Sequence, residues 1–138
     1  MSRKLIYLSG MMDGVTEAEG NEWRMQATRF FNDRGFDTFN PYKIHPVNSG
    51  CEPNEIHVND LYYLERADVV LANMVLPPRL ENSKIPFFTI GELYLAHAAK
   101  KPVVAFTNCL GERLSYKAIV TKGFTNLEDA MEYVASVY

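Results

Sequence analysis

The sequence predicts a single α/β domain built on a five-stranded parallel sheet with helices on both faces, and three observations predict it. Short apolar runs rich in strand formers alternate with stretches of helical spacing along the whole chain. The run Val103-Val104-Ala105-Phe106 carries no charge, as a strand buried on both faces requires. A chain of 138 residues, 47% of them apolar, suffices for one core and not for two, so residues 1–138 are read as one domain.

The elements follow in order. Lys4 to Ser9 reads as a strand ending at Gly10, and Thr16 to Arg34 as a helix with Trp23, Ala27, Phe30 and Phe31 on its inner stripe. Gly35 is placed to cap that helix, Phe36 to Phe39 forms a second strand, and Asn40-Pro41 stops it. Residues 40–54 make a loop longer than most connections, which marks it as functional. A helix from about Asn54 to Arg66 leads to a strand around Val69-Val70-Leu71, with Asp68 as a structural strand-entry residue. A second long loop, 74–88, ends where Thr89 opens a third helix, which the Lys100-Lys101-Pro102 segment stops. After the Val103 strand come a helix over Glu112 to Val120 and a short strand near Phe124. In the last helix Leu127, Ala130, Met131, Val134 and Val137 share a face.

Right-handed crossovers between parallel strands make the flavodoxin-like, Rossmann-like order 2-1-3-4-5 the natural arrangement of five strands. Ligands of such sheets bind beyond the carboxyl ends of the strands, where the strand order reverses. The loops after Gly10, Asn40 and Asn73, and the start of the Thr89 helix, all open there.

Composition excludes several classes of partner. A net charge of -3 and a pI near 5.6 leave no broad basic surface for polymeric nucleic acid. No apolar run approaches the ~20 residues that cross a bilayer, and the first residues run directly into a strand, so a cytoplasmic protein with no membrane partner is expected. Cys51 and Cys109 are expected as free thiols. His45, Cys51 and His57 are spaced too widely for the short ligand pairs of a zinc site, so neither metal nor cofactor is expected. His97, set among alanines, reads as a partly buried structural histidine.

Two segments can carry chemistry. In Ser9-Gly10-Met11-Met12-Asp13-Gly14, two glycines let the backbone turn sharply and aim N–H groups at a ligand oxygen, although any strand-to-helix turn has use for glycine. Thr89-Ile90-Gly91-Glu92 has the form of a capping box, with Thr89 capping the helix and Glu92 reaching back to an amide. The same Glu92 is equally a candidate nucleophile. A carboxylate in the first turn of a helix is favoured in its ionised, attacking form by the helix dipole, and it stands under both long loops. Asp60 tilts toward the strand ends, and Tyr42, Phe87 and Phe88 in the loops offer rings that could stack on a base or shield the site.

These pieces in this order resemble the nucleoside 2-deoxyribosyltransferase superfamily, which includes nucleotide N-glycosidases. The residues that carry the resemblance span most of the chain: Ile6-Tyr7-Leu8-Ser9-Gly10 with Met12 and Gly14, Gly35 with Asn40-Pro41, Asn59-Asp60-Leu61 with Ala67-Asp68-Val69-Val70, and Thr89-x-x-Glu92 with Ala96 and Lys101-Pro102-Val103-Val104. The resemblance implies Glu92 as nucleophile, Tyr7 as the group that orients it, and Asp60 as the residue that assists at the base or sugar. Ser9, Gly10, Met12, Asp13, Gly14, Asn40, Pro41, Asn73, Phe88 and Thr89 would then bind substrate.

It also implies a homo-oligomer with shared active sites, in which Tyr138 or the Ser115-Tyr116-Lys117 segment serves a neighbouring subunit. The expected reaction cleaves the bond between a nucleobase and its (deoxy)ribose and passes the sugar to another base. The closest alternative is a nucleoside 5′-monophosphate N-glycosidase that holds the phosphate with the Ser9 to Gly14 loop and Lys117. The chain departs from the family pattern at Met11, where a proline is usual, and at Tyr94, where a glycine is usual. Pro86-Phe87-Phe88 replaces an acidic residue before Thr89, which keeps a noncatalytic nucleotide-binding module open as a further reading.

Overall fold

The computed structural model describes residues 3–12, 14–44, 50–80 and 87–138; Asp13 and His45 lie outside them. The elements are β1 (Leu5–Gly10), α1 (Glu17–Asn32), β2 (Asp37–Phe39), α2 (Pro41–Ile44), α3 (Pro53–Arg66), β3 (Val69–Asn73), α4 (Phe87–Ala98), β4 (Val103–Phe106), α5 (Leu114–Ile119), β5 (Lys122–Phe124) and α6 (Leu127–Val137). The strands form one sheet in the order β2-β1-β3-β4-β5, and every pairing is parallel. This is the expected flavodoxin-like order.

Alternation along the strands divides the core into two layers. Ile6, Leu8, Val69, Leu71, Val104 and Phe106 pack with Trp23, Ala27 and Phe31 of α1 and with Leu127, Ala130, Met131 and Val134 of α6. Tyr7, Val70, Ala72, Val103 and Ala105 point the other way, toward Leu64 of α3, Leu93 and Ala96 of α4, and Tyr116 and Ile119 of α5. Helices therefore cover both faces. Val137, expected on the inner face of α6, is instead 53% exposed, and Tyr138 beside it packs against the core. His97 is exposed as well, correcting its reading as a partly buried residue.

The helix ends show where local chemistry sets the boundaries. Thr16 and Glu19 form a complete capping box, with Glu19 N–H donating to Thr16 Oγ1 at 3.1 Å and Thr16 N–H to Glu19 Oε1 at 2.9 Å. Gly35 takes the left-handed conformation (φ 87°) just past α1, and Phe36 N–H returns to Phe31 O at 3.0 Å. Asn40-Pro41 stops β2 as expected but also starts α2, a helix not foreseen within the loop. Its side-chain Oδ1 accepts Tyr42 N–H at 2.9 Å while Pro41 occupies the first helical position. Asp68 enters β3 as expected, accepting Leu5 N–H at 2.9 Å.

Gly10 closes β1 in a space that admits no side chain. A Cβ there would lie 2.9 Å from the Trp23 ring, 3.3 Å from the Arg24 guanidinium and 3.4 Å from Asn73 Cβ. Gly91, on the exposed side of α4, would meet nothing. Gly10→Ala should therefore destabilise the protein by about 1–3 kcal/mol through overpacking, and Gly91→Ala should stabilise it by roughly 0.5–1 kcal/mol through helix propensity. Denaturant titration of both variants checks this, and equal midpoints for the two would contradict the close packing described at Gly10.

Candidate functional site

The site is assembled where β1 ends beside α4. Because side chains alternate along β1, Tyr7 and Ser9 both project into the layer of α3 and α4. There the Tyr7 hydroxyl donates to Glu92 Oε2, and Ser9 Oγ donates to Glu92 Oε1 at 3.1 Å. Tyr7 and Ser9 are each 1% exposed. The Tyr7 ring is held from behind by Phe39, at 5.0 Å between centroids, and Phe39 in turn stacks on Tyr63 of α3 at 4.3 Å. A column of three rings thus sets the height of the hydroxyl that meets the carboxylate.

This geometry corrects the capping-box reading of Thr89-x-x-Glu92. The helix α4 begins at Phe87, so Thr89 is a buried residue inside it and Glu92 stands in its second turn. Its two oxygens face β1 and are engaged by the two hydroxyls. Burial works against the ionised form that the helix dipole was expected to favour. Burial raises the Glu92 pKa to about 7, with the neighbouring Asp60 charge adding to the rise, while the hydrogen bonds from Tyr7 and Ser9 and the charge of Arg24 oppose it. A dipole that fades within the first turn of a helix does not outweigh the loss of solvent.

Asp60, on α3, is the second acid of the site. Its Oδ1 is buried and has no hydrogen-bond partner among the described residues. Burial raises its pKa to about 6, against the opposing charge of Arg24. The Tyr7 phenol, buried and beside Glu92, is pushed far above its ordinary value and remains a hydrogen-bond donor at neutral pH.

Sequence reasoning missed Arg24. It is 0% exposed, and its guanidinium donates to Gly10 O at 2.8 Å, to Leu8 O at 3.3 Å and to Gly20 O. The Trp23 and Tyr42 rings flank it at 4.8 Å and 5.3 Å. Its signal was in the sequence: an arginine four residues after Gly20 and three before Ala27 falls on the buried stripe of α1. Tyr42, read as a loop ring that could stack on a base or shield the site, is 5% exposed and serves as a wall of this arginine pocket. It fits there because Gly20 has no side chain; a Cβ would lie 2.1 Å from the Tyr42 hydroxyl.

The other expected site residues that are described have contacts of their own. Gly14 adopts the left-handed conformation (φ 79°) that glycine tolerates, and Met12 beside it is partly buried. Arg79 ties this loop to the one after β3, contacting Gly14 O at 3.5 Å and pairing with both oxygens of Glu19 at 2.5 Å and 2.9 Å. Asn73 pairs with Gly10 in the sheet and turns the chain by accepting Val75 N–H at 2.9 Å. Asn40 bonds Asn21 at 3.0 Å, and Pro41 is buried. Phe88 is 60% exposed and leans on His57 of α3 at 5.6 Å.

Two residues expected to serve a neighbouring subunit stand apart from this centre. Tyr138 packs against the α1 and α6 layer, on the opposite side of the sheet from Glu92, and its carbonyl accepts from Lys4 at 2.5 Å. Lys117 pairs with Glu112 at 2.8 Å, beside a cavity of about 380 Å³ at the ends of β4 and β5. That cavity is lined in part by Tyr116, Cys109 and Thr125 and does not include Glu92, Tyr7 or Asp60. Cys51 and Cys109 are not joined by a disulfide. Among the described residues, no helix is long and apolar enough to cross a membrane.

At the level of sequence, no family model and no curated protein matches the chain. Solved structures do. A 2-deoxyribosyltransferase from Bacillus psychrosaccharolyticus superposes with a TM-score of 0.72 at 21% identity, over 94% of this chain and 91% of that one. A 2-deoxyribosyltransferase from Leishmania mexicana gives 0.75 at 15% identity, over 98% and 99%. The chain has the 2-deoxyribosyltransferase fold. BlsM shares this fold too, at 0.67 and 16% identity over 98% and 89% of the two chains.

The acid pair makes stability depend on pH. A carboxyl whose folded value lies above its ordinary one stabilises the fold fully below the ordinary value, and the contribution is lost as pH rises through the folded value. For Glu92 that window runs from 4.5 to about 7. Glu92→Gln keeps an acceptor for Tyr7 and carries no charge, so it should be the more stable protein at pH 8, by on the order of 3 kcal/mol, with the difference closing toward pH 4.5. Thermal unfolding of both proteins across this range tests it; a difference that does not vary with pH would refute the buried, proton-hungry carboxyl.

Proposed function

We propose that the protein cleaves the N-glycosidic bond of a (deoxy)nucleoside through a covalent ester on Glu92 and passes the sugar to a second nucleobase. The observation that carries this reading is the Glu92 carboxyl itself, buried at the carboxyl edge of the sheet and held by the Tyr7 and Ser9 hydroxyls, with a second buried acid nearby. The resemblance of the motifs and the shared fold of the two 2-deoxyribosyltransferases support it.

In the first step a Glu92 oxygen bonds to C1′ while the bond from C1′ to the base nitrogen breaks. The bonding electrons leave on the base, which takes a proton from the Asp60 carboxyl, a group kept partly protonated near neutral pH by its burial. In the second step a nitrogen of the acceptor base attacks C1′, the ester bond breaks and returns its electrons to Glu92, and the acceptor's proton passes to Asp60. Two displacements at C1′ retain its configuration. Tyr7 and Ser9 fix the plane of the carboxylate, so the attack starts from one orientation. Burial assists in a second way: the sugar ester is neutral at Glu92 and removes a charge that the site solvates poorly.

The Ser9 to Gly14 turn, Asn73, Phe88 and Thr89 would surround the substrate. The exposed Val58 and Tyr62 of α3 and Phe88, Tyr94 and Leu95 of α4 are apolar surface that a second copy would cover in a shared-site oligomer.

The test incubates the protein with 2′-deoxynucleosides and their 5′-monophosphates, with and without a second free base, and separates the products. A new nucleoside made by the wild type and not by Glu92→Gln is the expected result. Tyr7→Phe, which keeps the ring column and removes one donor, should lower kcat by about 10–10³-fold. Free base released from monophosphates alone, regardless of acceptor, would replace the transferase by a nucleotide hydrolase. Silence across the panel would favour a noncatalytic nucleotide-binding module.

A further inference from the structure

The sheet is incomplete beside the site. The β1–β2 pairing stops at Tyr7 and Phe39, while β1 continues to Gly10 along β3. In parallel strands the carbonyls of alternate residues point to the same side. Lys4 O faces β2 and accepts Asp37 N–H, whereas Leu5 O faces β3 and accepts Asp68 N–H. Leu8 O and Gly10 O are therefore on the β2 side, beyond the last β1–β2 pairing. Arg24 meets both, and a third donor of the same guanidinium reaches Gly20 O in the turn of α1 above.

We propose that Arg24 is a positioning residue, whose buried guanidinium stands in for the missing stretch of β2 and so holds the end of β1 that presents Tyr7 and Ser9 to Glu92. Three features argue for placement rather than general support. The carbonyls it binds belong to Leu8 and Gly10, the two residues that bracket Ser9 in the chain. Gly10 and Gly20 lack side chains where Arg24 and Tyr42 need the space. The cation also lies among the acidic groups: Glu92 on α4, Asp60 on α3, Tyr7 on β1 and Tyr42 on α2 all interact with it. Burial lowers its pKa, but only to about 10, so it stays charged at neutral pH and favours the ionised form of both carboxyls.

The kinetic half of the test rests on the proposed glycosyl transfer, and the spectroscopic half does not. Arg24→Gln, assayed with the nucleoside and acceptor base, should lose about 10²-fold in kcat while KM changes by less than about threefold. The acid limb of its pH profile should move to higher pH, because the cation that favours the Glu92 carboxylate is gone. Arg24→Lys restores charge without the planar fork, so its acid limb should return toward the wild type while kcat stays low.

In ligand-free wild-type protein, the ¹⁵N resonance of Arg24 Nε, followed against pH, should show a step between about pH 6 and pH 7. Glu92→Gln should abolish or displace that step. The proposal is overturned if Arg24→Gln loses activity only in proportion to its unfolded fraction with an unmoved pH profile, or if the wild-type resonance is flat across the titration. A silent substrate panel with the step present would refute the transfer reading and leave the positioning role standing.

Discussion

A backbone carbonyl withdrawn from water has to find a donor, and the end of β1 is where this requirement shapes the molecule. β2 contributes three residues and then turns away at Asn40-Pro41, so Leu8 O and Gly10 O lose the neighbour that the sheet would have supplied. Arg24 supplies the donors instead. Once a guanidinium is buried there, its surroundings follow: Trp23 and Tyr42 flank it, Gly20 leaves room for Tyr42, and Gly10 leaves room for Trp23 and for Arg24 itself. A solution built from ordinary strand pairing would have occupied the space where the β2–α2 turn now opens the carboxyl edge of the sheet.

The same region sets the charge balance of the acids. Glu92 and Asp60 are both short of solvent, and burial pushes each toward its neutral form. The Tyr7 and Ser9 hydroxyls and the Arg24 cation pull Glu92 back toward ionisation. Asp60 has the cation without a hydrogen bond to Oδ1 among the described residues. The two acids therefore differ in kind: Glu92 is held at both oxygens, and Asp60 keeps an unoccupied acceptor. On the proposed reading that difference suits a nucleophile that must not rotate and a proton carrier that must meet an incoming group.

How far the sequence discloses this can be judged from its two T-x-x-E segments. Thr16-x-x-Glu19 is the capping box, and Thr89-x-x-Glu92, which has the same form, is not. Local pattern cannot separate them, because the difference lies 85 and 83 residues away in β1, whose Tyr7 and Ser9 claim the second glutamate. The strand order was legible because buried parallel strands advertise themselves as unbroken apolar runs between helices. The start of α2 was also written in the chain, but Asn40-Pro41 satisfies the rules for ending a strand and for beginning a helix at once. Arg24 was obscured by a sound general rule, that arginine is seldom wholly buried, which fails where backbone acceptors replace water.

The arrangement carries a cost that has a direction. Evolving a more stable version of this chain is simple on physical grounds: remove the Glu92 charge, or give Asp60 Oδ1 a donor. Either change would relax a buried acid that the fold now holds against its preference. On the proposed reading both would also erase what the site needs, since a comfortably solvated carboxylate has less to gain by bonding to a sugar carbon. The two hydroxyls on Glu92 are then best understood as a compromise. They supply enough stabilisation to keep a charged carboxylate inside the protein and in one plane, and too little to return it to the acidity it would have in water.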